Sequence, residues 1–241
     1  MKKATFKMRH LAVATSLATA ALAMAPVAQA EVTGNINVLS KYVLRGITAV
    51  PESSVAAVQG GFDYSHSSGI YAGYWGSSLD YGNTGTGFEN DLYAGYKGTA
   101  GPVSYGVGVV YYAYTDVTDA DGAEVALTAG IGNASLGINY LTKDLAWGNS
   151  GDTYINLGYS QALPSDFTLA GSLMYYMYTK DGKFIAETPA SIDSGFRGAS
   201  VTLSHPLTKT STMGLTAVGG GEDRVGTYQK AMMVLSLGAT F

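Results

Sequence analysis

From Glu31 to Phe241 the dominant period of the sequence is two, and no apolar block long enough to cross a bilayer as a helix interrupts it. Asn35 to Ile47 sets Ile36, Val38, Ser40, Tyr42 and Leu44 against Asn35, Asn37, Lys41 and Arg45. Ser54 to Ser65 repeats the pattern with Ala56, Val58, Gly60, Phe62 and Tyr64 opposite Gln59 and Asp63. Phe88 to Tyr96 and Val103 to Thr115 follow, then segments beginning near Val125, Ala134, Thr153, Phe167, Ala199, Met213 and Met233. Ile70 to Leu79 alternates as well, but either of its faces could be the apolar one. Side chains of a strand alternate between faces, so each segment is dry on one side and wet on the other. Twelve such segments, most of about nine to eleven residues, fit tilted strands in a membrane. The expected fold is a closed, antiparallel, up-and-down β-barrel of about twelve strands.

Composition sharpens that reading. Charged residues make up only 13% of the chain, while glycine and tyrosine number 32 and 18. A soluble β-sandwich would also alternate, but its outer faces would need more charge. A barrel with lipid outside and water inside has no such need. The chain has no cysteine, which removes disulfides, thiolate chemistry and a lipid-modified anchor. Its formal charge of −4 argues against nucleic acid as a partner.

Residues 1–30 have a different character. Lys2, Lys3, Lys7 and Arg9 precede the apolar run Leu11 to Met24, and Ala28-Gln29-Ala30 supplies a small-x-small cleavage site. This is the pattern of a secretory signal peptide, with cleavage expected before Glu31 and residues 31–241 forming the barrel. Export and the alternation together predict the outer membrane of a Gram-negative bacterium. Loss of four basic residues with the leader makes the mature chain more acidic still.

The connections agree. If strand one runs outward, the periplasmic turns fall near Ser67 to Gly69, Gly98 to Pro102, Gly132-Asn133, Gln161 to Asp166 and Pro206 to Ser211. The opposite connections are longer: Asp80 to Gly87, Asp116 to Ala123, Lys143 to Gly151, Lys180 to Ser194 and Gly219 to Gly226. Short turns inside and long loops outside is the barrel asymmetry. Tyr64, Tyr96, Tyr105, Tyr159, Phe167 and Phe241 then form one aromatic girdle, and Tyr42, Phe88, Tyr111, Tyr140 and Tyr175 the other. The terminal Phe241, with apolar residues at every second position before it, has the form of a signal for the barrel assembly machinery.

Ser40-Lys41-Tyr42-Val43-Leu44-Arg45-Gly46-Ile47 and Ala57-Val58-Gln59-Gly60-Gly61-Phe62-Asp63-Tyr64 resemble the opening of the TorF-like porin family. Gly69 to Ser77 and Glu89 to Tyr96 continue the likeness. The resemblance implies an outer-membrane barrel with a porin role. It brings no established substrate, no cofactor and no catalytic residue.

Parity places six charges in the lumen: Lys41 and Arg45 on strand one, Lys230 on strand twelve, Glu89 and Asp91 on strand four, and Glu124 near the top of strand six. A basic wall facing an acidic one would filter small polar solutes by charge. The alternative is that these charges pair across a filled lumen.

An enzyme would need a nucleophile and a base. The only histidines after the leader, His66 and His205, fall at predicted periplasmic turns, far from the outer-leaflet lipid that a barrel lipase or acyltransferase would attack. Two separated histidines also give no metal site. Gly219-Gly220-Gly221 lacks the context of a phosphate loop and reads as a flexible outer loop. The expectation is a non-enzymatic channel without cofactor, whose partners are lipid, lipopolysaccharide, the assembly machinery and small polar solutes. A structural or adhesive barrel and a lipid-modifying enzyme are the rival functions.

Overall fold

The computed structural model describes residues 30–82 and 85–241; the leader and its expected cleavage site lie outside them, apart from Ala30. Twelve strands follow in order: β1 (Glu31–Leu39), β2 (Ala57–Ser65), β3 (Ile70–Asp80), β4 (Thr86–Ala100), β5 (Val103–Thr115), β6 (Gly122–Ile131), β7 (Ala134–Leu141), β8 (Thr153–Ala162), β9 (Thr168–Met177), β10 (Ser194–Pro206), β11 (Ser211–Gly219) and β12 (Met232–Thr240). Each pairs antiparallel with its neighbours in sequence, and β1 closes on β12 through Asn35↔Thr240 to Leu39↔Ser236. No edge strand remains, as a membrane barrel requires. No helix among the described residues is long and apolar enough to cross a membrane.

Closure is sealed at the last residue. Gly34 N donates to Phe241 O at 2.7 Å, and Phe241 N returns a bond to Gly34 O at 2.9 Å. The Phe241 ring meets Phe62 edge-on, with centroids 6.3 Å apart.

The outer surface is the apolar belt that the alternation predicts. Ile36, Phe62, Leu92, Val109, Leu127, Leu157, Leu173, Val201, Leu215 and Leu235 all point away from the lumen and are exposed. The register also settles β3. Tyr74 lies between Phe62 and Leu92 on the outer face, whereas Trp75 lies between Gly61 and Asp91 on the inner one. Tyrosines and glycines interlock inside. Tyr71 lies across the lumen face so closely that a Cβ on Gly95 would sit 2.5 Å from its hydroxyl. Glycine is therefore needed there for close approach.

Two expectations fail in the first third of the chain. Strand one does not run to Ile47; it ends at Leu39, and β2 begins at Ala57 rather than Ser54. Residues 40–56 form an inward-folded hairpin. Arg45 (φ 48°) and Gly46 (φ 77°) are its central residues, and Ile47 N donates to Leu44 O at 2.9 Å. Positive φ at both positions is the signature of a type I′ turn. Tyr42 is therefore no member of the outer girdle. It is 1% exposed, packed inside against Ala57, Trp75 and Leu79. The remaining girdle aromatics do face outward.

The triglycine differs too. Gly219 ends β11, and Gly220 and Gly221 have φ of 74° and 96°. Gly220 N donates to Gln229 O at 2.6 Å, and Gln229 N donates to Gly221 O at 2.9 Å. A Cβ on Gly221 would come within 2.6 Å of the Arg197 backbone. The segment is a hydrogen-bonded turn packed on β10, not a free loop.

Candidate functional site

The hairpin 40–56 folds into the upper lumen and packs against its walls. Its base is tied by Tyr42 N→Ser53 O (3.1 Å) and Ser53 N→Tyr42 O (3.2 Å), and its descending arm joins β3 through Ser54 N→Asp80 O (2.9 Å). Gln229, fully buried, accepts from Thr48 N at 2.8 Å and Ala49 N at 3.0 Å. Tyr42 and Leu44 pack toward Trp75, Leu79 and Tyr114. Val43 packs the other way, toward Tyr154, Met174, Tyr176 and Val234. The tip is thus wedged between opposite walls.

Arg45 stands at that tip and grips Glu124 of β6 with both arms of its guanidinium: Nη1–Oε1 is 2.7 Å and Nη2–Oε2 is 2.6 Å. This fork-to-fork geometry is the strongest form of the pair. Tyr112 Oη donates to Glu124 Oε2 at 2.8 Å, and Asn139 Nδ2 donates to the same oxygen at 3.0 Å. Arg45 also donates to Tyr176 Oη at 3.1 Å and lies 4.8 Å from the Tyr154 ring centroid. Burial disfavours its charged form. The Glu124 carboxylate and the Tyr176 and Tyr112 hydroxyls outweigh that penalty and hold Arg45 well above its ordinary range. Arg45 is 4% exposed and Glu124 1%.

Glu89 and Asp91 lie on the adjoining wall, both fully buried. Glu89 Oε1 accepts from Tyr114 Oη at 2.8 Å. Lys41 and Lys230 do not join this group. Both were expected on strands, but Lys41 lies at the foot of the hairpin and donates to Ser54 O at 2.6 Å. Lys230 is exposed in the segment 220–231, where its carbonyl accepts from Thr48 Oγ1 at 2.7 Å. The expected strip of Lys41, Arg45 and Lys230 is therefore absent, because two chain reversals take these residues off β1 and β12. Arg45 reaches the lumen by the hairpin rather than by strand parity.

Arg197 was not expected. Parity from Val201 and Leu203 would send it into lipid, but β10 shifts register between Phe196 and Gly198. The bulge turns Arg197 inward, where it is 5% exposed and bonds Tyr178 Oη. Its guanidinium lies 5.0 Å from the Tyr176 ring centroid, and Tyr176 stacks on Tyr178 at 4.8 Å. The signal was available: a lipid-facing arginine costs roughly 2–4 kcal/mol at mid-depth, so its apparent outward parity demands a bulge.

Below the hairpin the wall carries smaller groups. Thr202 and Thr216 are joined at 2.7 Å, and Ser172 and Ser200 at 2.8 Å. Asp63 accepts from Tyr93 Oη at 2.5 Å, and Lys97 Nζ donates to Ser65 Oγ at 3.1 Å. The long loops are tied together above. Arg224 pairs with Asp152 and donates to Thr179 O at 2.7 Å, and Trp147 Nε1 donates to Ala120 O at 2.9 Å. His66 bonds Ser68 within the β2–β3 turn, and His205 packs on Phe167.

Residues 23–241 match the family model described as "Bacterial protein of unknown function (Gcw_chp)". The chain belongs to this family. No curated protein matches it in sequence. In fold, this Gcw_chp protein is similar to the KdgM porin, with a TM-score of 0.55 at 9% identity, covering 87% of this chain and 98% of that one. It is also similar to the NanC porin, with a TM-score of 0.53 at 12% identity, covering 88% and 99%. These likenesses show a porin-like barrel fold for the Gcw_chp chain.

Proposed function

We propose that this chain is an outer-membrane porin of the TorF-like kind, passing small polar solutes by diffusion through a charged lumen. One observation carries the reading: a lipid-ready barrel encloses a polar interior into which a hairpin folds, pinned by Arg45 and Glu124. A merely structural barrel has no need to bring an arginine in the left-handed region to a carboxylate across its lumen. The porin folds of the two similar structures support the reading. Exported and inserted through its terminal strand and Phe241, the barrel would lie among outer-membrane lipid and lipopolysaccharide. It uses no cofactor and no catalytic residue in this role.

The depth of burial around Arg45 favours a second reading, in which the barrel is closed at rest and serves structurally. A planar bilayer separates the two. The folded protein is first verified by heat-modifiable migration. It is then expected to give small discrete conductance steps that grow when residues 43–50 are replaced by a short glycine-serine turn. Silence from both folded proteins would sink the channel and leave the structural barrel.

A further inference from the structure

The outer loops form a cavity of about 570 Å³, within the range of small-molecule sites. Three loops converge on it: residues 116–121 between β5 and β6, 142–152 between β7 and β8, and 178–193 between β9 and β10. Ala146 N→Asp119 O (2.9 Å) and Trp147 Nε1→Ala120 O (2.9 Å) join the first two. Asp144 joins the third, accepting from Ser150 N at 2.7 Å and from Lys183 N at 2.9 Å. The walls are thus held together by the chain itself, which lowers the cost of ordering them around a ligand.

The lining carries charges of both signs that have not found each other. Asp119 and Asp121 come from the first loop, Lys143 from the second and Lys183 from the third. None of these four is in an ion pair among the described residues. Both oxygens of Asp144, the remaining charge in the lining, are already occupied by backbone. Leu145, 1% exposed, and Phe184 add apolar surface to the same cavity, and the Lys183 ammonium lies 4.5 Å from the Phe184 ring centroid. An anion alone would meet the aspartates here, and a cation alone the lysines; each is a repulsion. A solute that carries one charge of each sign at separate ends has a complement for both.

We infer that this cavity captures short zwitterionic peptides, with the ammonium end toward Asp119 and Asp121, the carboxylate end toward Lys143 and Lys183, and an apolar side chain on Leu145 and Phe184. A single amino acid has both charges on one carbon, too close together to span lysines and aspartates that do not reach one another. Exposed ion pairs are individually weak, so the site holds its ligand loosely and releases it readily. That the peptide is cargo rests on the channel reading; that it binds does not.

The test titrates the full-length barrel, refolded in detergent, by calorimetry at low salt. Leucyl-leucine is expected to fill one saturable site per barrel. Acetylating its amine or amidating its carboxylate should weaken binding by about fivefold each, the upper scale of an exposed ion pair, and free leucine should bind more weakly than the dipeptide. Lys143→Gln with Lys183→Gln should weaken leucyl-leucine without further weakening the amide. Asp119→Asn with Asp121→Asn should weaken leucyl-leucine without further weakening the acetylated form. All four positions lie in loops, so the barrel should stay closed, and heat-modifiable migration checks this. Absence of saturable binding would overturn the proposal. Equal binding of free and doubly blocked dipeptide would overturn it by reducing the cavity to an apolar dent. Sensitivity to amidation alone would overturn it by making the cavity an anion site, and binding unchanged in both double variants would do so by placing the peptide elsewhere. Calorimetry needs no conductance: a silent barrel that binds leucyl-leucine loses the channel and keeps this site, and a conducting barrel that does not bind it loses only the site.

Discussion

Arg45 shows how one residue can carry two opposed costs. Its left-handed backbone costs roughly 1–3 kcal/mol, and its buried charge would cost more without Glu124. Removing one partner of such a pair typically costs about 3–5 kcal/mol, because the other is left buried and charged. Here the cost has an outlet, since the hairpin can leave the lumen while the barrel stays closed. Glu124→Gln is therefore expected to expose residues 40–56 to protease while barely changing the temperature at which the barrel unfolds. Replacing both Arg45 and Glu124 by leucine should restore much of the protection. Equal protease sensitivity in the wild type and Glu124→Gln would show that the pair does not hold the hairpin. Glu124 and the two carboxylates of β4 were legible in the sequence, because strand parity alone puts them inside. Arg197 was hidden by a single bulge, and parity fails after any inserted residue.

The hairpin itself is the element that alternation concealed. Ser40 to Leu44 continues the two-residue period of β1, so nothing in the period announces the reversal. The local signals were Arg45-Gly46 and Pro51, turn residues inside what reads as a strand and its connection. They were outweighed because an alternating arm packs as well against a lumen wall as against lipid. Seating the hairpin also has a pH dependence. Burial pushes the Glu52 carboxyl above the usual carboxylate range, while the hydrogen bond from Tyr81 (2.7 Å) and the attraction of Arg45 oppose it. A raised pKa means that protonated Glu52 favours the seated state. This contribution is fully present below the ordinary glutamate value and is lost as pH rises through the elevated one. Glu89 is the other carboxylate near enough to feel the same change. Trp75 lies edge-on to Tyr42 at 5.9 Å, so its fluorescence reports on seating. With Trp147→Phe as background, the seated signal should weaken with rising pH, and Glu52→Gln should flatten the curve. An unchanged slope in Glu52→Gln would assign the titration to another group.

At the scale of the whole molecule, the barrel was legible because the strands share one rule, apolar side chains outward, which inward residues such as Trp75, Met174 and Val234 do not disturb. Twelve repeats of that rule, with short turns on one rim and long loops on the other, leave few alternatives. The lumen was less legible because its chemistry depends on what the loops bring into it. Among the described residues its buried acids are Glu89, Asp91 and Glu124 and its buried bases Arg45 and Arg197, with Asp152 buried among the loops. Arg45 is paired with Glu124 and Arg197 lies over Tyr176 and Tyr178, so among the described residues Glu89 and Asp91 of β4 are the buried lumen acids without an ion pair. A conducting barrel with this lumen is expected to prefer cations, more so at low salt, where screening is weak. Glu89→Gln with Asp91→Asn should move the reversal potential in a salt gradient toward that of an anion pore. Arg197→Gln should move it the other way. Lys41→Gln should leave it unchanged, since that ammonium is held by Ser54 O at the foot of the hairpin and not among the β4 carboxylates. A shift in Lys41→Gln as large as that of the β4 double variant would mean that the hairpin, not the wall, sets selectivity.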